Sequence, residues 1–232
     1  MDALPALSAS EDRDGDGIND AAEGTADSDG DGIPDYLDNI AAPNVLPASA
    51  TMTTAFLMEC DADVSCRLGS FSALGASGGA ALNQDDIARL NGLSSDDNYQ
   101  LQGEIYDFEM HQLATPGQQV SVVLPLSIPI PESGVYRKFN NGTWMSFVEN
   151  DRNAIHSSQG FKGYCPSPDD ASWQEGMSAG HYCLKLTLED GGPNDADGEV
   201  NAEISDPGAV GVLSGGSIYV WRGVRPMIVG DQ

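Results

Sequence analysis

Residues 104–111 read "EIYDFEMH" and set Tyr106, Phe108 and Met110 against Asp107, Glu109 and His111. A period of two sends one set to a buried face and the other toward water, as a half-buried β-strand requires. The surrounding segments repeat the signal. "QQVSVVLPL" (118–126) aligns Val120, Val122 and Leu124, and "YCLKLTL" (182–188) alternates Tyr182, Leu184, Leu186 and Leu188 with Cys183, Lys185 and Thr187. "GVYRKF" (134–139) and "TWMSFV" (143–148) flank "NNG", whose Asn-Gly pair suits the tight turn of an antiparallel hairpin. "SIYVW" (217–221) reads as a closing strand, and "NQDDIARLNG" (83–92) as the one short helix. Short strands separated by Gly, Pro, Asn and Asp predict an all-β fold, an antiparallel β-sandwich; a barrel is the alternative closure.

The chain has 232 residues, 40% of them hydrophobic, enough for one large or two small domains with a real core. A net charge of −26 argues against nucleic acid and anionic membrane as partners and favours cations. No apolar run reaches the roughly 18 to 20 residues of a membrane span. "MDALPALSAS" has neither a basic nor an apolar signal region, so no signal peptide is expected at this end.

Much of the charge lies in "DRDGDGINDAAEGTADSDGDGIPDYLDN" (12–39). Between Glu11 and Asp38 eleven acids face one base, Arg13. Asp12, Asp14, Asp16, Asp20 and Glu23 occupy positions 1, 3, 5, 9 and 12 of a calcium loop, with Gly17 at the sharp turn and the Ile18 carbonyl at position 7. Fifteen residues on, the register restarts with Asp27, Asp29, Asp31, Gly32, Ile33, Asp35 and Asp38. A hard cation takes about 6 to 8 oxygens, and glycine lets the backbone fold around it. Only "AAEGTA" separates the loops, and its glycine argues against even one stable helical turn, which excludes the paired helices of an EF-hand. The competing reading is a solvated acidic linker. "AAPNVLPASA" (41–50), uncharged and rich in Ala and Pro, reads as a joint. The expected organisation is a calcium segment over 1–40, a linker over 41–50 and a sandwich over 51–232.

Cys60, Cys66, Cys165 and Cys183 form two local pairs without a C-x-x-C, which suits two short disulfides better than a metal site; four free thiols are the alternative. Disulfides and Asp-rich loops together favour an extracellular setting. A Cys165–Cys183 bond contributes roughly 3 kcal/mol in chain-entropy models, and the shorter Cys60–Cys66 closure less.

Two resemblances follow from these motifs. The repeated D-x-D-x-D-G-x-x-D is similar to thrombospondin type 3 repeats, which implies calcium wrapped by acidic segments and adjacent loops sharing ligands such as Asp27 or Asp38. Where that family has a cysteine after the second loop, this chain has Ile40. "YDFEMHQL", "PGQQVSVVLPLSIPIP", "VYRKF", Trp144, Phe147, "GYCPSP" and "EDGGPNDADGEVNAEISDPG" resemble the bacterial choice-of-anchor U domain over roughly residues 45–212. That resemblance implies a non-enzymatic extracellular module of a surface-anchored or secreted bacterial protein. The closing "IVGDQ" carries neither a hydrophobic anchor nor a basic tail, so anchoring rests on the resemblance alone.

The run "DGGPNDADGEVN" offers Asp190, Asn194, Asp195, Asp197 and Asn201, with Asp206 close behind, as a further calcium site; an ordinary Asx-turn loop is the alternative. His111, His156 and His181 form no zinc pattern, and no nucleophile elbow, phosphate loop or dinucleotide fingerprint occurs. Among the aromatics, Trp144 and Trp221 fall in strand patterns and read as core. Tyr136, Tyr164 and Trp173, the last in a polar loop, are candidates for contact with a glycan. Arg137 and Lys138, rare bases in an acidic chain, are expected to pair with carboxylates. The combined expectation is a calcium-stabilised structural or display module at the bacterial surface, with calcium its one cofactor. The alternatives are an adhesin binding glycan or protein through the sandwich and a subunit of a self-assembling fibre. A hydrolase is the weakest fit.

Overall fold

The computed structural model describes residues 6–214, so the strand expected at 217–221, with Trp221, lies outside the described residues. In chain order the elements are α1 (Asp20–Glu23), β1 (Val45–Pro47), β2 (Leu57–Cys60), β3 (Ser65–Leu68), β4 (Ala81–Leu82) and α2 (Gln84–Arg89). They continue with β5 (Tyr99–His111), β6 (Gln119–Pro125), β7 (Val135–Asn140), β8 (Thr143–Ser146), β9 (Ala154–Ser158), β10 (Gln174–Glu175), β11 (Cys183–Glu189) and β12 (Ile204–Leu213). Two antiparallel sheets form, one ordered β1, β2, β6, β11, β9, β10, the other β3, β5, β12, β7, β8 with β4 also on β5. This is the expected all-β sandwich.

The inner faces carry the predicted alternation. Tyr106, Phe108 and Met110 of β5 share one core with Val120, Val122 and Leu124 of β6 and Leu184, Leu186 and Leu188 of β11. The β7–β8 hairpin turns on Asn141 and Gly142, both with positive φ (48° and 79°), the turn whose twist matches the flanking strands. α2 falls in the expected helix and starts at Asn83, whose side chain accepts from the Asp85 and Asp86 amides and forms a reciprocal box with Asp86.

The second sheet is covered on both faces. Leu90, at the end of α2, and Leu93 pack on its outer side with Leu82, Ile105, Phe139 and Ala209. Under this cover Asp107 is buried, and one of its oxygens accepts from the Phe71 and Ser72 amides at 2.8 and 2.6 Å. Burial pushes its carboxyl up to about 6. A strand facing water on its polar side was expected; at Asp107 that side is an interior, while Glu109 stays partly exposed and pairs with Arg67.

Both disulfides form. Cys60–Cys66 joins β2 to β3 and so links the two sheets, while Cys165–Cys183 ties a long loop to the start of β11. The expected linker over 41–50 is corrected: β1 pairs with β2, and Leu46 is fully buried. An uncharged stretch whose Leu46 and Ala48 enter the core gains more by joining the sheet than by staying solvated. The boundary at residue 40 is corrected too, because Ile33 belongs to the sandwich core and Leu37 packs against it.

Candidate metal centre

The two acidic loops share one backbone plan. In the first, Asp12 accepts from the Gly15 and Gly17 amides at 2.8 and 3.1 Å. In the second, Asp27 accepts from Gly30 and Gly32 at the same distances. Asp14 and Asp29 accept from the amides two residues on, and so do Asp16 and Asp31. Asp20 closes the first loop by accepting from the Arg13 amide at 3.1 Å, as Asp35 closes the second from Ser28 at 2.7 Å. Gly15, Gly17, Gly30 and Gly32 all have positive φ, between 79° and 98°, the conformation that bends each chain around its carboxylates.

Within this plan the carboxylates divide their oxygens. One oxygen each of Asp14, Asp20, Asp29 and Asp31 shapes the backbone, while the other is buried without a hydrogen-bond partner. One oxygen of Glu23 is likewise buried and unpartnered. Asp14, Asp20 and Asp31 are at most 8% exposed. Buried acceptors without donors are costly, and a cation is the partner that satisfies several at once. Asp12, Asp14 and Asp16 bring oxygens within 4.8 Å of one another, and so do Asp27, Asp29 and Asp31. The donor set is all oxygen, which suits a hard divalent ion.

Burial is also the main cause that raises the carboxyls of Asp14, Glu23 and Asp29 above their ordinary range. Asp31 is pushed up to about 8, with the charges of Asp29, Asp38 and Asp27 adding to burial. Asp38 rises to about 6, and both Asp29 and Asp14 repel it. Asp38 therefore feels both loops at once. Glu23, Asp29, Asp35 and Asp38 line one cavity of about 330 Å³ between the loops. The Asn39 side chain donates to the Asp14 carbonyl at 3.1 Å, and Arg13 lies over the Tyr36 ring.

The segment between the loops does form one helical turn, α1, contrary to the expectation. Asn19 caps its start, and Gly24, with φ 88°, ends it. Capping offsets the propensity cost because the glycine sits just past the turn. Glu23 ends this turn and faces Asp12, Asp14 and Asp16 closely enough for their charges to raise it.

The late acidic loop takes the form of the Asx-turn alternative. Asp190 accepts from the Gly117, Asn201 and Ala202 amides, and Asp195 from Ser205 and Gly191. Asn194 bonds Val148 and Asn153. Asp197 bonds Glu199 and Asn201, and Asn201 accepts from Glu203. These groups are matched by backbone and side-chain donors, and none of their oxygens is buried and unpartnered as those of the two N-terminal loops are.

Arg137 and Lys138 do pair with carboxylates, Arg137 with Asp96 at 2.7 Å and Lys138 with Asp206. Trp144 is half-buried against the outer cluster and donates to the Ser94 carbonyl. Trp173 donates to the Ser167 carbonyl, and the Lys185 ammonium lies 5.4 Å from its ring centre, so its ring and N–H already have partners in the fold. His111 sits between Glu109 and Glu203, and His181 bonds Ser157. Comparisons with family models, curated proteins and solved structures return no match.

Proposed function

We propose that the chain is a non-enzymatic, calcium-stabilised structural module of a bacterial surface-anchored or secreted protein. The buried, unpartnered carboxylate oxygens of Asp14, Glu23, Asp29 and Asp31 carry this reading. One ion in each loop satisfies them: Asp12, Asp14, Asp16, the Ile18 carbonyl and Glu23 hold the first, and Asp27, Asp29, Asp31, the Ile33 carbonyl and Asp38 the second. Asp20 and Asp35 shape the loops through the backbone, and the other Asp20 oxygen lies 3.4 Å from the Arg13 guanidinium. Two disulfides favour an oxidising compartment, where millimolar calcium fills even weak sites. The resemblance to thrombospondin type 3 repeats and to the choice-of-anchor U domain points the same way.

The ions act on the fold rather than on a substrate. They cancel the repulsion among the loop carboxylates and lock the acidic segment onto the sandwich through Asp31 and Ile33. Calorimetric titration of calcium into the chelated chain tests the reading. Two bound ions are expected, with Asp14→Ala and Asp29→Ala each losing one. Absence of binding heat, together with identical melting in calcium and in EGTA, overturns it.

A further inference from the structure

The centre of the sandwich holds two ionisable groups that the calcium reading does not use. Lys138 of β7 is 1% exposed and Asp206 of β12 is fully buried, on neighbouring strands. Lys138 stands opposite Gly208, and Asp206, two residues earlier, lies on the same inward face beside Phe108 of β5. The Lys138 Nζ touches Oδ1 of Asp206, but without the geometry of a hydrogen bond. Lys138 Nζ, both Asp206 oxygens and the Tyr136 hydroxyl are all buried with no hydrogen-bond partner. Tyr136 packs over Gly208, where a Cβ would lie 2.6 Å from its hydroxyl oxygen.

We propose that Lys138 and Asp206 are joined by an intramolecular amide bond that clamps β7 to β12. An ion pair here would keep two charges in an apolar core at a desolvation cost that their attraction recovers only with good hydrogen bonds, and those are missing. An amide removes both charges. Its carbonyl oxygen also gives the Tyr136 hydroxyl an acceptor.

The chemistry balances without any cofactor. Burial lowers the pKa of Lys138 and raises that of Asp206, which favours passage of a proton from the ammonium to the carboxylate. The neutral amine then attacks Cγ of Asp206. The C–N bond forms, the C–OH bond breaks, and the hydroxyl leaves with an amine proton as one water. Two groups held in contact by rigid strands react at a high effective molarity, which replaces the activation that such a condensation needs in solution.

The bond is independent of calcium, and its test is a mass measurement on the full chain. After reduction of both disulfides and denaturation, the wild-type chain is expected to weigh one water less than its sequence, and digestion should yield a branched peptide linking Lys138 to Asp206. Lys138→Met and Asp206→Ala should each restore the full mass expected for their sequences. A reduced wild-type chain at its full sequence mass, with Lys138 and Asp206 recovered in separate linear peptides, overturns the proposal whether or not the variants fold.

Discussion

The two acidic loops fold alike and differ in where they sit. Their backbone amides donate to the carboxylates on one plan, yet Ile18 of the first loop is 50% exposed while its counterpart Ile33 is 3% exposed and part of the sandwich core. The second loop also hands its Asp31 carbonyl to the Leu68 amide of β3 at 2.7 Å. The carboxylates thus encode the bend and the ion, while docking depends on one apolar side chain and one carbonyl. The same motif serves as an outboard loop in one copy and as part of the sandwich edge in the other.

The largest expected contrast comes from the isoleucines. Ile33→Ala should cost about 2–5 kcal/mol, as large-to-small core changes do, whereas Ile18→Ala should stay within about 0.5 kcal/mol. Urea unfolding followed by a sandwich signal measures both. Equal effects would break the distinction between the loops.

Calcium should separate them next. A hundredfold excess over Kd adds about 2.7 kcal/mol per site to whatever unfolds with that site. Asp29→Ala should therefore remove much of the calcium-induced rise in the sandwich melting temperature, and Asp14→Ala little of it. Calorimetric melting of the two variants, in calcium and in EGTA, is the check.

The pH dependence sharpens the same contrast. In the metal-free fold, burial raises the Asp31 carboxyl from 3.8 to about 8. The folded chain then holds a proton that the unfolded chain releases, so this contribution is complete below about pH 4 and is lost as pH rises toward 8. Asp38, Asp107 and Asp195, each raised to about 6, add slope in the same direction at lower pH. Between pH 6 and 8 the chelated protein should melt at falling temperature, and either calcium or Asp31→Asn should flatten that part of the curve.

Smallest is the expected effect at the turns. Gly17→Ala and Gly32→Ala should each cost about 1–2 kcal/mol relative to the parent, because both positions need a left-handed backbone (φ 98° and 94°). The costs should be close to equal, since the Gly32 Cβ would meet Leu68 only at ordinary contact distance. A much larger loss at Gly32 would show that docking, and not the bend alone, governs that position.

The sandwich was legible because its signals are local. Alternation in 104–111 names the inward residues, and "NNG" names a turn. What stayed hidden depended on distant partners. Nothing near Asp107 announces that the turn at Phe71 and Ser72 will cover it. Ile18 and Ile33 occupy the same position of the repeated "DGDGI", so that motif does not separate them. The late loop stayed open between two readings because Asp and Asn show the same spacing whether they hold an ion or their own backbone. Lys138 and Asp206 stand far apart in the chain, and only the β7–β12 register brings them together. In the metal loops, by contrast, every ligand lies within one short stretch, and the glycines mark its bends.

Amide hydrogen exchange, in calcium and in EGTA, tests the coupling of ions to fold most directly. Slower exchange in calcium is predicted at the Gly15, Gly17, Gly30 and Gly32 amides and, across the interface, at the Leu68 amide bonded to Asp31. Exchange at all five that is indifferent to calcium would contradict the account.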